Sequence, residues 1–278
     1  MAAPDCVFLT CVHSYPEFLY IQDACFKKFL KQTFTFLVVD DSEDPSIPDG
    51  LKRICHELGY KYVRCPPPTG INDSSPSFRH AHALNYGWKV LLQMEAKYVG
   101  TFDTDLVPVC FMDLDIEMKS VDILAVCLKN KSFSHFWPGL TIFKVGSQPL
   151  EELRWDLCSR DGDSSDTGGA TTFYIDSIEG THTIQPVTLF SGYNETNAFI
   201  LERAREILPP ALYDFCVEDC DAAIMANCKW YVDILGIAPN KMVFFHLKNI
   251  SNWAKNTLEY HEPRLRKFTV AIEAVLQS

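Results

Sequence analysis

Two aspartates one residue apart, Asp103 and Asp105, follow directly on the apolar run Tyr98-Val-Gly-Thr-Phe102. In an extended chain, side chains at i and i+2 point to one face, so the two carboxylates converge and Thr104 turns away. Carboxylates that close repel each other unless a cation lies between them. An oxygen-only pair suits Mg²⁺ or Mn²⁺, which keep coordination positions open for phosphate oxygens. The simpler alternative for so short a pattern is a solvated turn. Two other polar groups close apolar runs in the same way: Thr10 to His13 at the end of Cys6–Cys11, and Asp40-Asp41 after Phe34–Val39. In open α/β sheets ligands bind beyond the carboxyl ends of the strands, so all three groups are candidates for a binding site.

The elements that must position them alternate between short β-rich runs and helical patterns, which predicts an α/β fold. Phe18, Ile21, Cys25 and Phe29 follow helical spacing after the first strand. A short helix near Leu51–Leu58 precedes a strand at Lys61–Arg64, and Cys65–Ser77 reads as loop. A long helix is predicted from about Phe78 to Met94, with Ala81, Leu84, Trp88 and Leu91 on its buried stripe and Arg79, His82, Asn85 and Lys89 on another face. Further strands are expected at Asp122–Cys127, Leu140–Val145 and Lys241–His246. Further helices are expected near Gln148–Ser159, Asp166–Ile178, Glu195–Leu208, Glu218–Cys228 and Pro263–Leu276. No linker or repeat divides the chain, so the expectation is one domain over residues 1–278, Rossmann-like, with a mixed central sheet flanked by helices. The GxGxxG turn of dinucleotide binders is missing.

Composition narrows the partners. A formal net charge of −11 over 278 residues argues against nucleic acid, which needs clustered Lys and Arg. A metal-neutralised diphosphate remains compatible with it. Eleven cysteines, an odd number with no CxxC pair, read as small core residues in a reducing compartment. The opening MAAPDCVFLT has neither a basic stretch nor a long apolar one, and no run approaches a membrane span, so a cytoplasmic protein is expected. The four N-x-S/T sequons at Asn72, Asn130, Asn194 and Asn249 are then taken as chance.

The order of these features resembles that of the GT-A glycosyltransferases. The resemblance rests on the strand-end D-x-D, on Arg79-His-Ala-His-Ala-Leu-Asn85, on Phe136–Phe143 followed by Trp155 and Ser165-Asp-Thr-Gly-Gly169, and on Phe244-Phe-His246 through Trp253. The last segment is similar to the His-x-x-Gly-x-x-Lys-Pro-Trp of glycogenin-like members, with Asn249 in place of the Gly and Ser251-Asn252 in place of Lys-Pro. The resemblance implies a GT-A domain with a nucleotide-binding half at about 1–105 and an acceptor-binding half at about 106–278. Thr10, His13, Asp40 and Asp41 would hold the nucleoside, and Arg79 and Asn85 would meet the donor diphosphate or sugar. Asp103 and Asp105 would hold Mn²⁺ (or Mg²⁺), with Asp103 also facing the donor and His246 as third ligand. Asp166, opening a helix toward the reacting sugar, would be the first candidate for a base, and Asp219 the second. The donor would be a UDP- or GDP-sugar, and the acceptor a glycan, a protein or a small molecule. Plainer readings stand beside each role: His13 as a turn residue, Arg79 on the surface, Asp166 as a helix cap, Glu218-Asp219 as charges in a helix's first turn, His246 in the core. Rival functions are a HAD-type phosphohydrolase, suggested by Phe102-Asp-Thr-Asp-Leu-Val107, and a non-catalytic module that binds sugar nucleotides or carbohydrate.

Overall fold

A computed structural model describes residues 3–68, 75–191, 196–225, 232–237, 242–247 and 258–278. Cys228, the sequons at Asn72, Asn194 and Asn249, and the 248–253 segment lie outside the described residues. In chain order the elements are β1 (Cys6–Val12), α1 (Phe18–Phe29), β2 (Phe34–Asp40), α2 (Ile47–Leu58), β3 (Lys61–Arg64), α3 (Pro76–Leu91), β4 (Tyr98–Phe102), β5 (Leu106–Pro108), α4 (Leu114–Glu117), β6 (Ile123–Lys129) and β7 (Ser134–Lys144). There follow β8 (Ser159–Arg160), β9 (Asp163–Ser164), α5 (Thr171–Ile178), β10 (Ile184–Pro186), β11 (Thr188–Ser191), α6 (Asn197–Ile207), α7 (Pro210–Met225), β12 (Val232–Ile237), β13 (Met242–Leu247) and α8 (Leu258–Gln277). They gather into two compact units. The first holds residues 1–16, 32–103 and 113–187; the second holds 17–31, 104–112 and 188–278.

The first unit is a mixed α/β layer structure, its central sheet mostly parallel and flanked by helices. The strand order is β10-β6-β7-β4-β1-β2-β3, and only β7 runs against its neighbours. Central strands buried on both faces read as continuous apolar runs, which is why β1 (CVFLTCV) and the end of β2 (LVV) show no alternation. On one face Val7, Leu9, Leu37 and Val39 pack with Leu84 and Trp88 of α3 and with Phe143 of β7. The helix comes in close at Gly87, where a Cβ would fall 2.5 Å from the side chains of Leu9 and Val39. On the opposite face Phe8 stacks edge-on against Phe102 at 4.7 Å. The β1–β2 register runs from Cys6↔Phe34 to Val12↔Asp40, so both strands deliver their polar ends to one edge.

The second unit is built on an antiparallel sheet, β11-β12-β13-β5. Phe245 of β13 stacks on Phe268 of α8 at 5.4 Å, and Phe268 stacks in turn on Phe18 of α1. Helices α7 and α8 are tied by two ion pairs, Arg264–Asp219 and Lys267–Glu218.

Several expectations are corrected. Residues 148–159 form no α-helix. A 3-10 turn at Leu150–Glu152 runs into extended chain, because Trp155 is drawn into the core and its N–H donates to the Asn85 Oδ1 at 2.9 Å. Helix α5 starts at Thr171 with Ala170 as its cap, so Asp166 does not cap it. Helix α7 starts at Pro210, which puts Glu218 and Asp219 in its middle and not in its first turn. Strands β5 and β8 to β12 have no counterpart in the sequence pattern.

Candidate functional site

Strand β4 is held between β1 and β7 and ends at Phe102, and the Asp103 N–H donates to the Gly139 carbonyl at 3.0 Å. The chain turns at once into β5, which pairs with β13 so that His246 lies opposite Leu106. Two bonds fix this turn. The Leu247 N–H donates to the Asp105 carbonyl at 3.1 Å, and the Gln22 Nε2 donates to the Leu106 carbonyl at 3.0 Å. Asp105 is thereby set against His246, its Oδ1 3.1 Å from the ring Nε2, while the ring Nδ1 lies 3.1 Å from the Asp233 Oδ2. Asp105, Asp233 and His246 are all buried. Asp103, Asp105 and His246 each offer one ligand atom, and these atoms lie within 4.8 Å of one another.

The electrostatics follow from that enclosure. Burial alone would push the His246 ring toward its neutral form, but Asp105 and Asp233 outweigh it and raise the pKa to about 10. Without a cation the ring therefore carries a proton between two carboxylates, and a metal must displace it. Two carboxylates and one imidazole form a mixed oxygen–nitrogen donor set that fits a divalent cation.

The second acidic pair divides. Successive strand residues face opposite sides, so Asp40 lies on the Phe8 face and Asp41 on the α3 face. Asp40 is fully buried and its oxygens are engaged: Oδ1 accepts from the Ser42 N–H at 3.0 Å, from the Ser42 hydroxyl at 2.7 Å and from Arg64, and Oδ2 accepts from the Tyr62 hydroxyl at 2.7 Å. Asp41 instead lines a cavity of about 340 Å³ with Arg64, Cys65, Pro67, Arg79 and His82. Its Oδ1 has no hydrogen-bond partner among the described residues, and the His13 Nδ1 stands 3.9 Å away. Burial raises the Asp41 pKa, against the opposing pull of His80 and His13. Arg79 pairs with Glu43, and its Nε is buried without a partner among the described residues.

The remaining expected residues are dispersed. Thr10 is fully buried in β1, in register with Val38 and on the Asp40 side of the sheet. Asn85 spends both ends of its amide on the chain it anchors, donating to the Asp156 Oδ1 at 2.8 Å and accepting from the Trp155 N–H. Asp166 is exposed, its Oδ1 accepting from the Thr167 N–H at 2.7 Å. The turn after it needs Gly168, whose φ is +91° and whose Cβ would fall 2.5 Å from the Phe136 carbonyl. Asp219 is buried with the Arg264 Nε at 2.9 and 3.0 Å from its two oxygens, as one half of an internal ion pair. Sequence reasoning misses Asp233, Arg64 and Tyr62. Asp233 does carry a signal, being the lone charge within Tyr231-Val-Asp-Ile-Leu-Gly-Ile237.

No protein-family profile matches the chain, and no curated protein matches it. Among solved structures it is similar to a crystal structure of S. aureus TarS residues 1–349, at 14% identity and a TM-score of 0.35, over 54% of this chain and 50% of that one. A crystal structure of S. aureus TarS matches at 13% identity and a TM-score of 0.40, over 77% of this chain and 42% of that one. The chain thus spans half or less of the length of these two structures, and likenesses so distant carry no argument about activity. Among the described residues no helix is long and apolar enough to cross a membrane.

Proposed function

We propose that this chain is a metal-dependent glycosyltransferase of the GT-A type, moving a sugar from a nucleoside-diphosphate sugar to an acceptor hydroxyl. The observation that carries this reading is the convergence of Asp103, Asp105 and His246, from one turn and a neighbouring strand, on a donor set fit for a divalent cation. Such a cation, when bound, supplies the charge that stabilises a departing diphosphate. The protein's own residues do the rest. His246 presents Nε2, Asp105 is held rigidly by the β5–β13 pairing, and Asp103 faces the donor from the end of β4. In this reading residues 1–105 take the nucleotide, and Asp41, whose Oδ1 has no hydrogen-bond partner among the described residues, and Arg79 serve that half better than the saturated Asp40. Residues 106–278 take the acceptor. Exposed Asp166 is the proposed base for its hydroxyl if transfer inverts the sugar, whereas Asp219 holds α7 to α8.

A thermal-shift panel of UDP- and GDP-sugars with and without Mn²⁺, followed by an assay for release of the nucleoside diphosphate, tests the proposal. The expected result is stabilisation that needs both donor and metal, about 2.7 kcal/mol at 100 times the dissociation constant, together with turnover on a suitable acceptor. Stabilisation that persists unchanged in EDTA would remove the metal from the mechanism.

A further inference from the structure

We infer that Asp233 is a positioning residue for the candidate metal ligand His246, fixing which ring nitrogen faces the cation; this rests on the metal reading above. Asp233 and His246 are directly opposed in the antiparallel β12–β13 ladder, so their side chains share one face of the sheet. The next pair along that face is Leu235 opposite Phe244, both fully buried. A carboxylate with no exposed surface in such a row is costly unless something specific holds it. One such partner is the His246 Nδ1, 3.1 Å from the Asp233 Oδ2, while Nε2 lies 3.1 Å from the Asp105 Oδ1. With Nδ1–H donating to Asp233, the lone pair of a deprotonated ring can lie only on Nε2, the nitrogen on the Asp105 side. The carboxylate also fixes the ring plane and raises its basicity toward a cation.

The test measures Mn²⁺ binding directly, from the loss of the free-ion paramagnetic resonance signal, in the wild type, Asp233→Asn, His246→Ala and the double variant. Melting temperatures are recorded without metal. Asp233→Asn should weaken Mn²⁺ binding by about 10- to 100-fold, and should add no further loss to His246→Ala, because it acts through that ring. A wild type that binds Mn²⁺ and an Asp233→Asn variant that binds it equally well would overturn the positioning role alone. That role also falls if the Asn variant weakens binding as much in the His246→Ala background as in the wild type. A wild type that binds no Mn²⁺ would overturn the metal reading and this inference with it. Should Asp233→Asn fail to fold, two-bond ¹H–¹⁵N spectra of the wild type saturated with diamagnetic Mg²⁺ decide the matter. The proton must reside on the His246 Nδ1, and a proton on Nε2 would refute the assignment.

Discussion

Two pairs of aspartates end two strands of the same sheet, and they have different fates. At β4 the carboxylates are separated by one residue, and with His246 they offer ligand atoms within 4.8 Å of one another. At β2 they are adjacent, so the pleat sends them to opposite faces. Asp40 is taken up by Ser42, Tyr62 and Arg64, whereas Asp41 keeps an oxygen without a hydrogen-bond partner among the described residues, at a cavity. Spacing sets the difference. An i, i+2 pair can share one ligand, while an i, i+1 pair divides into one group serving the fold and one open to a ligand.

The sharpest way to break this comparison is at the shared pair. Asp105→Asn keeps the shape and the bond to His246 within reach but removes a ligand charge. Mn²⁺ affinity should fall by more than about 100-fold, beyond the range typical of an outer partner, and turnover should vanish while the protein stays folded. Calorimetric titration and circular dichroism on the same sample read both quantities. Undiminished affinity would show that the pair does not share a cation.

Acid offers a second handle on the same cluster. Since the His246 pKa lies near 10 without metal, each metal bound below that pH releases about one proton. Affinity should therefore rise about tenfold per pH unit from 6.5 to 8.5. The ordinary histidine value would have confined the change to the region below about 6.5. The sign for stability is opposite. A raised folded-state pKa stabilises the metal-free protein fully below about 6.5, and that gain is lost as the pH climbs through about 10. His246→Gln should flatten both curves, and an unaltered slope of Mn²⁺ affinity against pH would place the titrating group elsewhere.

At the β2 pair the two members should respond in different currencies. Asp40→Ala strands the Tyr62 and Ser42 hydroxyls and releases Arg64, whose side chain is 45% exposed and can return to water. With that relief the loss should be about 2 to 3 kcal/mol, or roughly 4 to 12 °C in melting temperature for a chain of this size. Nucleotide affinity should change little once the protein is folded. A variant of wild-type stability with poor nucleotide binding would invert the assignment.

Much of this is legible in the sequence where local and global signals agree. The apolar runs of β1, β2 and β4, the strand-end acids and the α3 stripe all follow from burial on two faces and helical spacing. Residues 148–159 mislead because Trp155 is claimed by the core and its backbone by Asn85, a contact across 70 residues. In the second sheet β13 is legible as the expected strand at Lys241–His246, and its partners are hidden for another reason. Strands β5 and β11 are three and four residues long, too short for any periodicity, and β12 escapes with them. With β12 goes Asp233, whose partner lies 13 residues onward. That Asp40 and Asp41 part company follows from the pleat, but which of them meets Arg64 depends on the register of β3, which only pairing in three dimensions sets.

The smallest effect, and the finest test of the comparison, belongs to Asp41. Burial raises its pKa, so the folded state disfavours the charged carboxylate more than water does. At neutral pH the group therefore opposes folding, and the opposition fades as the pH drops below the raised value and the carboxyl takes up a proton. Asp41→Asn removes the charge and keeps the shape. It should raise the melting temperature at pH 7 by a degree or so, a gain that shrinks on acidification, while nucleotide affinity falls by roughly tenfold, the worth of one hydrogen bond to a charged group. In kinetics the loss should appear in KM with kcat nearly unchanged, as expected for binding shared equally by ground and transition states. Stability and affinity thus move in opposite directions at Asp41, whereas at Asp40 stability falls alone. If Asp41→Asn also lowers the melting temperature, the carboxylate is holding the fold, and the pair does not divide in the way its spacing implies.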